Sequence, residues 1–540
     1  MQLDYSKTIV DVFSESCQRY KNNTAFTCMG HSITYDELWQ LSERFAVYLQ
    51  TQTNLKPGDR IALQLPNILQ YPVALFGALR AGLVVVNTNP LYTAHEVKHQ
   101  LNDAGAKAIV VLANVAKNTA SVIKETSVEH IIVTELGDLH PLLKRTLINF
   151  VVKHVKKMVP EFSFAKSVKF RETLADKDTP LTPVTINSED IAILQYTGGT
   201  TGVAKGAMLL HRNLVANMIQ VTTHMRSALT EGKDIFITPL PLYHIYSFTV
   251  HCAMALSVGA NNLLIPNPRD IPAFVKALQG VPFTFFVGLN TLFNALLRNE
   301  DFLKLDFSKL RLTASGGMAL TTETANRWME LTQAPLTEGY GLTETSPVIS
   351  VNPVDGVQIG TVGIPVEKTE LKVIDDSGAE LPNGQAGELC VRGPQVMKGY
   401  WQRLEATADV IDDEGWFKTG DIAIIQNDNY VKIVDRKKDM INVSGFKVFP
   451  NEVEDVLASH PDIVEAAVIG VPDAEGSEVV KAFLVTTNRS LTLEDIREFT
   501  REKLTGYKRP HLIEFRDELP KSNVGKILRR ELRDQEVTKN

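Results

Sequence analysis

The sequence predicts an α/β protein with a large N-terminal body and a small α+β domain at its C-terminal end. Two observations point there. Short apolar runs, Arg60–Leu65 (RIALQL), Ala108–Leu112 (AIVVL), Ile131–Val133 and Ile191–Gln195, recur between helical stretches such as Tyr71–Ala81 (YPVALFGALRA). Buried runs of that length alternating with helices are the pattern of parallel strands. From about Leu371 the style changes to short strands and turns (LKVIDDSGAELPNGQAGELCVRG). It changes again after Asp439, where Asn451–Ser459 and Leu493–Lys503 read as helices, with Ala466–Gly470 and Lys481–Thr486 as strands between them. Asp435–Asp439 (DRKKD) is a charge run that should not enter a core, and it marks the boundary.

Composition excludes several classes. The 540 residues are 44% hydrophobic and 22% charged, which is globular rather than disordered or collagen-like. That length allows about three to four domains of ~150 residues each, and no fixed repeat suggests a solenoid. Lys plus Arg number 56 against 63 Asp plus Glu, a net charge of −7, which disfavours a nucleic-acid surface. Cys17, Cys28, Cys252 and Cys390 lie far apart without a Cys-x-x-Cys pair, which argues against a zinc ribbon and fits a reducing compartment. The N-terminal MQLDYSKTIVDVF carries Asp4 and Asp11 and does not read as a secretory signal. No apolar run approaches the ~20 residues of a membrane span, so a cytoplasmic protein is expected.

Two segments of the N-terminal body have their own character. Leu142–Val159 (LLKRTLINFVVKHVKKMV) places Leu143, Leu147, Val151, Val155 and Val159 on one helical face, with Lys144, Arg145, Lys153, Lys156 and Lys157 supplying charge. Such a helix suits an anionic membrane surface, and equally a helix packed on its own domain. Tyr196–Gly206 (YTGGTTGVAKG) follows the apolar strand AILQY and precedes the helix-like AMLLHRNL. Its glycines let the backbone approach a ligand closely, its N–H groups form an anion nest, and Thr197, Thr200, Thr201 and Lys205 add donors and a cation. It is not a Walker A loop, because Gly206 rather than Ser or Thr follows Lys205.

This string resembles the phosphate loop of the adenylate-forming enzymes: acyl-CoA synthetases, luciferases and peptide-synthetase adenylation domains. Leu55–Asp59 (LKPGD), Thr34–Leu38 (TYDEL) and the motifs below extend the resemblance over essentially the whole chain. It implies layered α/β subdomains and a distorted β-barrel subdomain in residues 1–437, and a mobile domain in 438–540. ATP would bind through Thr197, Gly198, Gly199, Thr200, Thr201, Gly202 and Lys205, with Gly316 and Glu338. In Gly339–Thr345 (GYGLTET), Gly339 and Gly341 would flank Tyr340 stacked on adenine. Thr343 would meet the α-phosphate. Glu344 and Thr200 would hold Mg²⁺, a hard cation that prefers oxygen. Asp421 would accept from the ribose hydroxyls, assisted by Arg436.

Further along, Lys438 sits at the hinge position. Ser444, Gly445 and Lys447 in Val443–Val448 (VSGFKV) would line a CoA channel. Lys526 in Pro520–Arg530 (PKSNVGKILRR), between Gly525 and Ile527, would be the catalytic lysine. Lys503–Arg533 carries nine Lys/Arg against four Asp/Glu, a basic arm on an acidic protein. Arg529 and Arg530 within it read as solvated helix charge.

The resemblance implies that the acid-binding pocket lies in Phe236–Asn299, where Asp270 is the only acidic residue. An ammonium buried there would find no partner, which argues against an amino-acid substrate. An alkyl chain gains about 0.8 kcal/mol per buried CH₂. His244, Phe248, Gly288, Gly316 and Gly341 are the acyl-site candidates, His244 being equally readable as a packed histidine. The closest form, in EGWFKTGDIA and VDRKKDMINVSGFKVFPNEVE, is that of the bacterial long-chain fatty acid–CoA ligases. ATP and CoA are then co-substrates and Mg²⁺ the cofactor. A ligase for medium-chain or aryl acids, or a fatty acyl-AMP ligase that loads a carrier protein, is the alternative. A homodimer is compatible with either.

Overall fold

The computed structural model describes residues 5–197, 204–444, 446–473, 478–488, 490–522 and 525–539. Two large sheets form the N-terminal body. The seven-stranded sheet runs Val168–Lys169, His130–Thr134, Ala106–Leu112, Arg60–Gln64, Val84–Asn87, Ile191–Thr197, Lys205–Leu210. All its pairs are parallel except the last. Its central strands are near-continuous Val, Ile and Ala because both faces are covered. Helix Gln70–Arg80 is buried along its whole length. Gly77 makes that possible: a Cβ there would lie 2.8 Å from Ser42 O and from Phe45 on the neighbouring helix Tyr35–Thr51. Arg80 at its end is neutralised by Glu43 at 2.9 Å and lies 3.6 Å over the Trp39 ring.

The nine-stranded sheet runs Ile364–Pro365, Val348–Val351, Leu336–Gly341, Leu312–Ser315, Phe285–Gly288, Ile235–Thr238, Asn261–Leu264, Thr24–Cys28, His31–Thr34. Its core centres on fully buried Trp328, whose ring is 4.5–5.4 Å from Phe286, Phe293 and Phe302 and whose Nε1 donates to Thr313 at 2.9 Å. A four-stranded antiparallel sheet follows: Glu370–Ile374, Ala386–Arg392, Phe417–Ile425, Val431–Arg436. Where a distorted barrel is expected, this sheet is open and bulged. Its last strand continues into hydrogen bonds between Val431 and the Val362–Gly363 segment, which leads back to the nine-stranded sheet.

The C-terminal part has separate apolar cores. A hairpin, Ile441–Val443 with Phe446–Val448, and helix Pro450–Ala458 precede a three-stranded sheet of Ile463–Pro472, Glu478–Thr486 and Leu512–Phe515. Helix Leu493–Thr500 stops three residues short of the expected end, with Leu504 turning back to Thr500 O. Helix Arg529–Lys539 closes the described chain.

Three expectations need correction. The helix expected over Ala207–Leu214 begins only at His211, and Lys205–Leu210 is a strand. It pairs with Ile191–Thr197 on one side and exchanges backbone bonds with Lys398, Gly399 and Trp401 on the other, and that double pairing overrides the helix propensity of Ala-Met-Leu-Leu. The DRKKD run enters the interior: Asp435 and Asp439 are 1% and 8% exposed, because each is paired with arginine. Arg529 is likewise a buried partner rather than a solvated charge, whereas Arg530 is exposed.

Residues 142–159 are held to the domain along one side. Helix Leu142–Phe150, continued by a π-helical turn Val151–Val155, docks through Asn149, which accepts from Gly137 N at 2.8 Å, and through buried Val152. Its apolar stripe points away, with Leu143 86% and Leu147 63% exposed. No described helix is long and apolar enough to cross a membrane.

Candidate active site

Open α/β sheets bind ligands beyond the carboxyl ends of their strands. One cavity of about 2040 Å³ lies there, bounded by the nine-stranded sheet, the four-stranded sheet and the C-terminal part. A pocket for one drug-sized ligand measures ~300–1,000 Å³, so this one has room for more than one molecule.

At its centre is Asp421. Its own strand, Phe417–Ile425, buries it to 2% exposure. Arg436 Nε lies 2.8 Å from Oδ1, and the Tyr340 hydroxyl donates to Oδ2. Burial raises the Asp421 carboxyl pKa, and Arg436 opposes that shift. Both oxygens keep a lone pair for further donors. Tyr340, Gly339, Gly341, Glu338, Gly316, Thr343 and Thr197 line the same cavity. Glu338 Oε1 accepts from Leu320 N at 3.0 Å, and burial pushes its carboxyl up to about 8, so it is protonated at neutral pH and can donate as well as accept.

Glu344 is the middle residue of a 3₁₀ turn, Thr343–Thr345, and is 9% exposed. The Tyr400 hydroxyl donates to its Oε1 at 2.8 Å, and Lys205 Nζ lies 5.1 Å over the Tyr400 ring. Burial raises the Glu344 carboxyl pKa. A buried carboxylate oxygen with no cationic partner at bonding distance among the described residues suits a hard divalent cation, so the residue fits Mg²⁺. Among the described residues no three His, Cys, Asp or Glu gather into a metal site, so the remaining ligands would be oxygens of the nucleotide and of Thr200. Thr200 lies outside the described residues, as do Gly198, Gly199, Thr201, Gly202 and Gly445. The ends of that loop are anchored: Thr197 pairs with Lys205, and His99 Nε2 is 3.2 Å from Ala204 O.

Lys526 enters the cavity on a tight loop in which Ser522 N donates to Lys526 O at 2.7 Å. Gly525 allows the turn with φ +82, and a Cβ there would meet Thr291 Oγ1 at 2.9 Å. Burial lowers the Lys526 ammonium pKa to about 8, helped by the like charge of Arg436. His244 also lines the cavity. Its Nδ1 accepts from Tyr246 N at 3.3 Å, which leaves the hydrogen on Nε2. Burial, then Lys526, lowers its pKa to about 4, so it is neutral.

Some candidates lie elsewhere. Phe248 is fully buried and is not among the lining residues. Gly288 is also outside the lining, because the Phe293 ring would be 2.6 Å from any Cβ there. Ser444 and Lys447 are on the exposed hairpin, where Lys447 Nζ lies 3.6 Å from Asp376. Lys438 is exposed, between Arg436 and Asp439 in the chain, at the junction of the two parts. Sequence reasoning missed Tyr400, whose only local signal is its place in KGYW. It also missed Asp103, which accepts from Tyr196 at 2.7 Å and pairs with Arg403 beside the loop.

Comparison with known proteins agrees with this geometry. The AMP-binding enzyme family model matches residues 13–401, and the AMP-binding enzyme C-terminal domain model matches 452–526. The long-chain-fatty-acid–CoA ligase of Escherichia coli O6:H1 is 53% identical over 535 residues, covering 98% of this chain and 95% of the relative. That of Bacillus subtilis strain 168 is 36% identical, with 98% and 95% covered. The structure of the anthranilate CoA ligase AuaEII in complex with anthranoyl-AMP superposes with a TM-score of 0.87 at 26% identity, covering 99% of this chain and 98% of that one.

The glycines of the tyrosine strand differ in tolerance. A Cβ on Gly341 would lie 1.9 Å from Pro347 O, whereas one on Gly339 meets nothing closer than 3.4 Å. Gly341→Ala should destabilise by about 1–3 kcal/mol or more, and Gly339→Ala by a few tenths, in thermal melts of the two variants side by side.

Proposed function

This chain belongs to the AMP-binding enzyme family, and we infer that it is a long-chain fatty acid–CoA ligase. A fatty carboxylate attacks the α-phosphorus of ATP, giving acyl-AMP and releasing pyrophosphate. The CoA thiol then attacks the acyl carbon, the thioester forms, and AMP leaves. The observation that carries this reading is that Lys526, Asp421, Glu344 and neutral His244 line one cavity with an apolar end.

The first step brings one anion against another. Lys526 answers this by placing a cation where carboxylate and α-phosphate meet, fixed in advance by its loop. His244 offers its Nε2–H to the carboxylate without adding a charge. Asp421 fixes the ribose, and the Tyr340 ring gives adenine a flat face. Bound Mg²⁺ would neutralise phosphate charge, held by Glu344 and Thr200. For the second step, residues 438–540 turn about Lys438, which withdraws Lys526 and brings Ser444, Gly445 and Lys447 to the pantetheine arm.

Val221, Met225, Leu240, Val250, Phe285 and Leu289 line the apolar end. Eight further methylenes, if all buried, are worth on the order of 6 kcal/mol, enough to dominate chain-length preference. ATP- and CoA-dependent turnover across acids from C4 to C20, with aryl acids alongside, should peak at long chains. A maximum at C8 or below, or with an aryl acid, would overturn this reading. CoA-independent loading of a carrier protein would favour the acyl-AMP ligase.

The Lys526 ammonium must be charged to act, and in the free enzyme it loses its proton at about pH 8. The adenylation kcat/KM should therefore fall as pH rises through about 8, since this ratio reports the free enzyme. In Lys526→Arg the falling limb should move beyond the accessible range, because guanidinium stays protonated. A wild-type profile flat to high pH would contradict the assignment.

We further propose that 142–159 rests on an anionic membrane, from which an insoluble substrate can be drawn. The favouring observation is the outward apolar stripe: Leu142, Leu143, Leu147, Phe150, Val155 and Met158 are 53–86% exposed. Arg145, Lys153, Lys156 and Lys157 flank it, while Lys144 is tied to Met29 O. Anionic liposomes should float the protein in low salt. Neutralising those four cations should weaken flotation severalfold, and unchanged flotation would remove the proposal.

A further inference from the structure

The Arg529 side chain lies in a nest of acceptors. Its Nε and Nη2 reach the two oxygens of Glu454 at 2.9 and 2.6 Å, Nη2 also donates to Asn451, and Nη1 reaches Asp439 at 3.4 Å and Asp435 at 3.3 Å. Four of these five residues follow Lys438 in the chain. Asp435 alone precedes it, on the strand Val431–Arg436 of the four-stranded sheet.

Asp435 is tied to the C-terminal part twice. Its Oδ2 accepts from Asn451 N at 2.7 Å, its Oδ1 faces Arg529, and its side chain is fully buried. Among the described residues the other ion pair across the junction, Lys447 with Asp376, is more than half exposed on both sides, and such pairs contribute little. The two differ in burial, so they differ in what rotation does to them. When residues beyond Lys438 turn, Asp439, Glu454 and Asn451 travel with Arg529 and keep it satisfied. Asp435 stays with its sheet, keeps Arg436 N on its Oδ1 at 2.8 Å, and loses Asn451 N and the Arg529 guanidinium. A buried carboxylate stripped of its cation is strongly unfavourable until water or a proton reaches it.

Arg529 is also three residues past Lys526, in the first turn of the final helix. The loop that presents the lysine is therefore clamped at its exit. We propose that Asp435 and Arg529 are positioning residues that hold the C-terminal part in the orientation placing Lys526 in the cavity. This rests on the two-step ligase reading above. Asp435 takes no part in the chemistry; it sets the fraction of molecules in which Lys526 is present.

The test uses the full chain, with Asp435→Asn as the first variant and Arg529→Lys, which keeps the charge but loses the fork, as the second should the first not fold. Three quantities are measured: acyl-AMP formation, thioester formation from preformed acyl-AMP and CoA, and hydrogen exchange of the backbone over 525–529. Acyl-AMP formation should fall by about 5–150-fold, the usual range of a conformational coupling. Thioester formation should hold or rise, and exchange should quicken. Equal loss in both half-reactions with unchanged exchange would overturn the clamp. If the wild-type enzyme makes no acyl-AMP from any acid, the ligase reading fails, and the exchange comparison still decides whether Asp435 holds the loop.

Discussion

The buried Asp421 carboxylate is the contact on which the arrangement of this molecule depends. It belongs to the Phe417–Ile425 strand, its hydroxyl partner Tyr340 comes from the nine-stranded sheet, and its guanidinium partner Arg436 ends the strand that leads to Lys438. One side chain therefore fixes two sheets and the approach to the junction relative to one another. A surface pair would give about 0–1 kcal/mol, too little to set such a geometry. Burial changes the sign of the problem. Removing Arg436 leaves an uncompensated charge in a poor solvent, and removing Tyr340 leaves a buried carboxylate oxygen without its donor, so each loss is costly. The interaction contributes less to stability than to the uniqueness of the site's shape.

Much of this was legible in the sequence, and for one reason. The residues that face the cavity sit in short strings whose backbone also makes the turn: GYGLTET, the Gly420-Asp421 pair, Asp435-Arg436 and the loop around Lys526. Chemistry and conformation are then encoded in the same few positions. Illegible were the partners supplied from a distance. Tyr400 reaches Glu344 across 56 positions, Glu454 reaches Arg529 across 75, and Asp103 reaches Arg403 across 300. The DRKKD run misled for the same reason. Charges in a row are solvated unless counter-charges arrive from elsewhere, and here Arg529 and Arg533 arrive from the far end of the chain. Lys205–Leu210 shows the other limit, where backbone pairing on both sides outweighs side chains that favour a helix.

The apolar part was legible only in outline. The family resemblance placed the acyl pocket in Phe236–Asn299, an apolar segment by composition, and the cavity draws Leu240, Val250, Phe285 and Leu289 from it. Composition could not separate lining from packing. Phe248 and Gly288 look like pocket residues and are core, while Val221 and Met225 come from a helix outside that region. A side chain's membership in a cavity depends on which way its element faces, and a periodicity shared by core and pocket does not record that.

The position of the cations gives the two-domain plan a physical rationale. A site that holds a triphosphate and a carboxylate needs positive charge; one that holds only acyl-AMP needs less, and there a surplus ammonium would lie unpaired in a cavity that already disfavours it, as the lowered pKa of Lys526 records. Lys526 and Arg529 share the terminal segment, whereas Arg436 belongs to the body. In the proposed rotation the C-terminal part withdraws Lys526, while Arg529 travels with Glu454 and Asp439, which neutralise it, and the Asp421–Arg436 pair stays behind. Release of pyrophosphate would take away the anions that favour the lysine, and the arrangement of charges would then favour its departure. On that proposal electrostatics and domain orientation are a single variable, with Asp435 the group that couples them.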